Sequence, residues 1–300
     1  MPELMKRIVL IFCSIVPWIW CSCEKSISFT PQNANPSLVV DANIQNGSQP
    51  FVTLSRSLNY FSKISTEELQ NAFVHNAVIS ISNGSKTHLL REYKQDLGGG
   101  YFSYTYTTDT ANLATAFYGE FGKSYFLSIQ VDGKEYTAST TIPLLTKTLD
   151  SLWTKPAPDN PDTNKVVLMT HTTDPPGFGN YIRYFTKTND EPFYPGLNSV
   201  GDDQVIDGKN YEVQVDRGVD RNAEIDFEEY AFFFKGDRVT VKLCNIDKAT
   251  FDFFRTLEYS YSSIGNPFSS PTKVIGNISG GALGYFGGYA VQLITIQIPM

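Results

Sequence analysis

Short stretches in which apolar and polar residues alternate dominate the chain. "LVVDANI" (38–44) and "FVTLSRS" (51–57) alternate on either side of a polar turn, and "SYFLSIQV" (124–131) ends at the turn pair Asp132-Gly133. A period of two indicates strands with one buried face. About six or seven such strands in the first half, with turns at regular intervals, predict an immunoglobulin-like β-sandwich over residues 37–145.

The second half keeps this pattern in stretches such as "KVVLMTHTTD" and "RVTVKLCNI". One segment differs, because Ile246, Phe253, Leu257 and Tyr261 follow helical spacing and predict an amphipathic helix over about 247–262. We therefore expect an all-β fold, in which a proline-rich linker (146–165) leads to a second β-rich lobe. This lobe (166–300) is expected to be a sandwich or barrel-like and to carry the helix.

The first 22 residues have the features of a secretory signal. Lys6 and Arg7 precede "IVLIFCSIVPWIW", which carries no charge, and the small residue Ser22 stands before Cys23. A cysteine at the start of the mature chain resembles a bacterial lipobox, so we expect a signal peptide (1–22), acylation of Cys23 and a lipidated tether (23–36) that binds the membrane. A soluble secreted chain and a retained N-terminal anchor are the alternatives.

Charge and cysteine content narrow the classes of function. Removal of the signal takes two basic residues and one acid from the formal charge of −7 and leaves −8. Such acidity weighs against nucleic acid and an anionic membrane surface as partners. Of the four cysteines, Cys244 alone is left in the mature body, where its alternating position predicts a small core residue.

No catalytic motif stands out, so we expect neither an enzyme nor a cofactor. The chain has no nucleophile elbow, phosphate loop or zinc-protease motif, and His75, His88 and His171 are not spaced as metal ligands. The acidic segment 202–229 contains weak calcium candidates in Asp202, Asp203 and Asp207. Its alternatives are solvated loops between strands and a surface for a basic partner.

Aromatic residues near glycine and proline are the candidate contact surface. Tyr285, Phe286 and Tyr289 interleave with glycines in "NISGGALGYFGGYAV". The stretch is either an aromatic loop at a ligand or receptor surface or a tight bulged turn whose aromatics fill the core. In "PPGFG" and "EPFYPGLN", Phe178, Phe193 and Tyr194 are placed to line the mouth of a pocket for an unknown small molecule.

Four stretches together carry a family resemblance: "CEKSI", "LVVDANI…QPFVTLSRSLNYF", "YTASTTIP…LDSL" and "NPFSSPTKVIGNISGGALGYFGGY". The chain resembles the DUF4249 family, which are lipoproteins of Bacteroidota. The resemblance implies an outer-membrane lipoprotein, often encoded near TonB-dependent receptors, and no catalytic residues. In such bacteria, Asp109-Thr110-Ala111 and Asp150-Ser151-Leu152 fit the pattern of O-glycan acceptors.

Three functions follow as hypotheses. The first is a non-catalytic partner of a TonB-dependent nutrient transporter that captures a ligand or caps the barrel, with the cell surface favoured over the periplasmic face. The second is a structural or adhesive sandwich at the cell surface. The third is a cell-envelope enzyme whose site is assembled only in space.

Overall fold

The structure is a computed structural model and describes residues 35–58, 65–264 and 272–300. These residues contain fifteen strands and two α-helices. The predicted signal peptide, Cys23 and nearly all of the tether lie outside these ranges. The strands are β1 Leu38–Gln45, β2 Phe51–Arg56, β3 Val78–Ser82, β4 Thr87–Gly98, β5 Tyr101–Thr108, β6 Lys123–Val131, β7 Lys134–Ile142, β8 Thr148–Pro156, β9 Lys165–Thr173, β10 Tyr181–Thr188, β11 Tyr194–Gly201, β12 Asn210–Val215, β13 Phe233–Phe234, β14 Arg238–Ile246 and β15 Leu283–Gln297. The helices are α1 Thr66–Asn71 and α2 Lys248–Ser263.

Local sequence explains the hairpins of the first half. Asp132 and Gly133 both take positive φ, which is the conformation of a two-residue turn, and they join β6 to β7. Asn83 accepts backbone hydrogen bonds from Ser85 and Lys86 and closes the β3–β4 hairpin. Ser65 and Glu68 form the capping box that begins α1. The two hairpins confirm the all-β prediction in its local detail.

Most strands belong to one large sheet. Its eleven strands run in the order β11-β10-β14-β15-β1-β2-β5-β4-β3-β6-β7, and a smaller sheet holds β12, β9 and β13 with β8 paired to β9. β15 is the junction of the large sheet. Its first half pairs in parallel with β1, in register from Val39 with Leu283 to Gln45 with Tyr289, and its second half pairs antiparallel with β14.

The glycine-rich stretch near the C-terminus is therefore a turn only at residues 279–281, and from Leu283 onward it is part of a single strand of 15 residues. The aromatic residues lie in this strand, so the expectation that they belong to a loop or bulged turn was wrong. Its glycines are needed where other backbone approaches closely. A Cβ on Gly284, which has φ +102°, would lie 1.9 Å from the carbonyl oxygen of Val40, and one on Gly288 would lie 2.5 Å from that of Thr141. Side chains at these positions would separate β15 from its neighbours.

The two faces of the large sheet pack against different elements. On the inner face, alternate residues of β1, β2 and β3 form one apolar core with β6 and β7, and β14 forms a second core with β9, β12 and β13. On the opposite face, which we call the helix face, α2 packs Phe251, Phe253 and Phe254 against Tyr285 and Tyr289. Sandwich packing with one amphipathic helix is as the sequence predicts.

Helix α2 begins where the sequence places it. Asp247 is the N-cap and accepts a hydrogen bond from the Thr250 amide at 2.8 Å, and a second oxygen of the same carboxylate accepts from Thr140. The cap thereby ties the start of α2 to β7. In the described ranges, neither α-helix combines the length and apolar content that a membrane span requires.

Residues 36–300 form one compact unit. Within it, the segment predicted as a linker (146–165) contains β8, which pairs with β9 of the second half. The boundaries that the sequence suggests between lobes stay a prediction.

The close approach of β1 and β15 gives a test of the fold. Gly284→Ala should lower the free energy of unfolding by about 3 kcal/mol, because the new methyl group meets the Val40 carbonyl in a backbone conformation unsuited to alanine. Gly281→Ala is the matched control, since Gly281 also has positive φ but has no atom within 4 Å of the added Cβ, and should cost about 1 kcal/mol. Urea denaturation followed by circular dichroism measures both, and equal losses would contradict the packing argument.

Candidate functional site

The long connection between β12 and β13 builds a cavity against the start of β11. Its volume is about 400 Å³, which lies in the usual range for ligand pockets. We call it the acidic cavity. Its main lining residues are the aromatics Tyr194, Tyr230, Phe232 and Phe234, the acids Glu191, Asp220, Glu224, Asp226 and Glu229, and Arg217.

Backbone interactions hold this connection on the edge of β11. The Val219 amide donates to the Pro195 carbonyl at 2.9 Å, and the Gly218 amide donates to the Thr186 hydroxyl at 2.7 Å. Gly218 is required here, because a Cβ would lie 2.1 Å from the Tyr194 carbonyl oxygen. Asp220 and Asp226 each accept a backbone hydrogen bond from the second residue after them, which fixes the turns of the loop.

The acidic cavity carries more negative than positive charge. Glu191 pairs with Arg217, and Glu229 pairs with Lys165. Within the described residues, Asp220, Glu224 and Asp226 have no ion-pair partner. Such a cavity favours a positively charged group, and its aromatic walls add contact area and cation–π attraction.

Two groups beside the cavity have shifted pKa values. Burial raises the pKa of the Tyr194 hydroxyl, and the neighbouring Asp220 raises it further. Burial also raises the pKa of the Asp216 carboxyl, against hydrogen bonds from Gln214 and Tyr230 that act to lower it.

The structure separates the predicted aromatic residues. Tyr194 lines the acidic cavity, whereas the neighbouring Phe193 is 38% exposed and lies 5.9 Å from the Lys242 ammonium. Phe178 stands at the tip of its loop between two positive-φ glycines and is 75% exposed. The three are not brought together in one pocket mouth.

Tyr285, Phe286 and Tyr289 lie in β15 and are buried. Phe286 belongs to the inner-face core, while the two tyrosines lie under α2 on the helix face. Of the two interpretations of this stretch, core filling agrees with their burial, and an exposed aromatic loop does not.

A buried polar network lies beneath α2, and no pattern in the sequence predicts it. Arg183 donates to Ser199 at 3.1 Å and to the Tyr289 hydroxyl at 3.3 Å, and Tyr289 donates to Tyr285. Glu258 of α2 accepts from the Ser199 amide at 3.0 Å and also binds Arg221. Buried polar groups cost stability unless they are paired, so these bonds fix where α2 sits on the sheet.

The isolated thiol is inert. Cys244 is fully buried in β14, as its alternating position predicts, and burial raises its pKa to about 12. Lys242 and Arg183 act in the opposite direction with smaller effect. The thiolate is the reactive form of cysteine, and the raised pKa disfavours it. Cys244 is therefore a packing residue of the core.

Two of the three calcium candidates meet, with a third acid that the sequence did not suggest. One oxygen each of Asp174, Asp203 and Asp207 lie within 4.8 Å of one another, whereas Asp202 turns to Arg255 at 3.5 Å. These three carboxylates are the described groups best placed to hold a cation. Each already has a partner: Asp174 the buried Lys147 ammonium at 3.0 Å, Asp203 the Asn180 amide, and Asp207 the Gly177 amide.

These bonds have a structural role. They fasten the loop that carries Phe178 to the loop between β11 and β12. Whether calcium binds here stays a prediction, and so does glycosylation of Thr110 and Ser151, both of which are exposed.

The model of the family described as "Domain of unknown function (DUF4249)" matches residues 24–294. The chain belongs to the DUF4249 family. No curated protein matches it significantly. The family match covers the acidic cavity, the polar network and nearly all of β15, so these features lie within the family domain.

The Lys147–Asp174 pair gives a test of the charge arrangement in this family member. Lys147→Met should lower the free energy of unfolding by about 4 kcal/mol, because it leaves the fully buried Asp174 carboxylate without its cation. The double variant Lys147→Met/Asp174→Leu should recover most of that loss. Urea denaturation of the three proteins decides, and a double variant no more stable than the single one would contradict the interpretation.

Asp203 should make the fold sensitive to acid. Burial acts to raise the pKa of its carboxyl, but hydrogen bonds, chiefly from Asn180, prevail and hold it below the ordinary 3.8. The folded pKa is thus depressed, so the stabilisation is complete above the unfolded pKa and is lost as the pH falls through the folded pKa. Asp203→Asn should therefore lower stability at neutral pH and weaken its dependence on pH below about 4.

Urea midpoints measured from neutral pH to about pH 3 test this expectation. Asn180→Ala is the matched variant, because it removes one donor to Asp203 while keeping the carboxyl. Like Asp203→Asn, it should lower stability at neutral pH and weaken the dependence of stability on pH, but by a smaller amount. A pH dependence of stability that Asp203→Asn leaves unchanged would contradict the assignment.

Proposed function

We propose that the chain is a non-catalytic outer-membrane lipoprotein that binds a ligand or partner group at its acidic cavity and works with a TonB-dependent receptor. The observation that carries the proposal is the cavity itself, in which aromatic walls and carboxylates without cation partners surround about 400 Å³. Its size suits a small ligand or a group of inserted side chains, and its charge favours a positive one.

The construction of the cavity favours binding. Turn hydrogen bonds fix the carboxylates of Asp220 and Asp226, and Arg221 fastens the same loop to β11 through the Leu197 carbonyl. A site that is already formed loses less entropy when it binds. Tyr194 and Tyr230 present large, rigid rings that add contact area.

Sequence features support the location and the partner. The uncharged stretch before Cys23 supports export and acylation, and the DUF4249 resemblance supports an outer-membrane lipoprotein of Bacteroidota that acts beside a transporter. A lipid anchor would hold the cavity near the membrane, where a second partner meets it at high effective concentration. We favour the outer face of the membrane.

Site-specific crosslinking in native outer membranes tests the proposal. A photo-crosslinking amino acid in place of Glu224, which is exposed in the cavity loop, should capture a TonB-dependent receptor identified by mass spectrometry. The same amino acid in place of Leu97, which is 61% exposed on the distant β4–β5 hairpin, is the matched control and should capture much less. Cys23→Ala should abolish both membrane association and the crosslink.

Other outcomes would contradict receptor contact or favour an alternative function. Equal capture from both positions, or none from Glu224, would overturn receptor contact at the cavity. Crosslinks between copies of this chain would favour the structural or adhesive alternative.

A further inference from the structure

A second cavity lies inside the C-terminal sandwich. It sits between the inner face of β10 and β14 and the facing sides of β9 and β12, and its volume is about 180 Å³. We call it the intersheet cavity, and it shares no lining residue with the acidic cavity. Its walls are mostly apolar, as Leu149, Ile182, Val241 and Leu243 illustrate.

The intersheet cavity communicates with solvent on one side. β12 and β11 are the edge strands of the two sheets, and both contribute to the lining. Val213 of β12 lines the cavity and is 42% exposed, so the opening lies beside this strand.

One end of the cavity is polar. Lys147 lines it, is buried, and holds its ammonium 5.4 Å from the ring centre of Tyr211, which lines the cavity too. An ammonium has three N–H donors, and Asp174 is its one ion-pair partner among the described residues. This end of the cavity can therefore donate a hydrogen bond to an acceptor oxygen.

Charge decides which kind of oxygen fits. Asp174 already balances Lys147, Asp202 also lines the cavity, and Asp203 and Asp207 lie close behind Asp174. Another carboxylate would add negative charge to an acidic surrounding, whereas a hydroxyl or carbonyl oxygen would not.

We infer that the intersheet cavity binds a small neutral molecule with an apolar body and one acceptor oxygen, which hydrogen-bonds to the Lys147 ammonium. Size supports the assignment, because an apolar cavity of about 150 Å³ is large enough to bind benzene. A phenol-sized or short branched aliphatic alcohol or ketone is the class that fits. The inference does not depend on the acidic cavity or on a receptor.

Three probes of similar shape separate the parts of the inference. Because residues 36–300 form one compact unit with its own cores, the chain from residue 24 onward is used, without lipid or detergent. Phenol, toluene and benzoate are titrated by ligand-observed NMR. Phenol should bind about tenfold more tightly than toluene, because it adds one hydrogen bond to a charged donor, and at least about tenfold more tightly than benzoate.

Substitutions at the opening locate the site. Val213→Trp should fill the entrance and weaken phenol binding at least about tenfold. Val78→Trp is the matched control, because Val78 is a similarly exposed strand valine at 51% on distant β3, and should leave binding unchanged. Ile206→Trp, at the same opening, replaces Val213→Trp should circular dichroism show that the latter does not fold.

Each contrary result would overturn a different part of the inference. Equal affinities for phenol and toluene would refute the role of Lys147, and benzoate binding as tightly as phenol would refute the preference for a neutral molecule. No binding of any probe, or phenol binding that survives the tryptophan at the opening, would refute the site.

Discussion

The parallel pairing of β1 with β15 is the constraint on which the rest of the structure depends. It joins strands from opposite ends of the described chain and places β14 beside them, so that the strands of both halves share one sheet. The pairing needs glycine at Gly284, where β15 passes the Val40 carbonyl of β1, and contact with β7 needs glycine at Gly288, where β15 passes the Thr141 carbonyl. Side-chain volume is thus forbidden at the junction, while Phe286 between these glycines fills the core below it.

The junction also supports the helix face. Tyr285 and Tyr289 project from β15 toward α2, where Arg183 and Glu258 complete a chain of hydrogen bonds to β11. Arg221 binds Glu258 and two carbonyl groups of β11, and Asp220 beside it lines the acidic cavity. The cavity is therefore fixed to the sheet and to α2 by the same charged group, which gives a rigid frame to a loop with little regular structure.

Local signals in the sequence were sufficient for much of the fold. Alternation predicted the strands, turn pairs such as Asp132-Gly133 predicted hairpins, and helical spacing predicted α2. The same rules failed at β15, because glycine usually marks a turn and only a partner strand distant in sequence shows that Gly284 and Gly288 allow close pairing.

Long-range contacts limited the prediction of the site even more. Tyr194 and the acidic segment were recognised from composition, but the cavity that unites them exists only because the loop folds back on β11. Asp174 was overlooked because it follows a strand far from Asp203 in sequence. Lys147 falls in a segment interpreted as linker, where nothing in the sequence suggests a buried ammonium.

The order in which β1 and β15 emerge during synthesis has a consequence for folding. Val39 cannot find its parallel neighbour Leu283 until more than two hundred intervening residues have been made, so β1 spends that time with one edge unpaired. Unpaired strand edges promote aggregation until the sheet closes. Folding of this protein should therefore be slow, and a chaperone that covers the edge of β1 while β15 is still missing should raise the yield of folded chain.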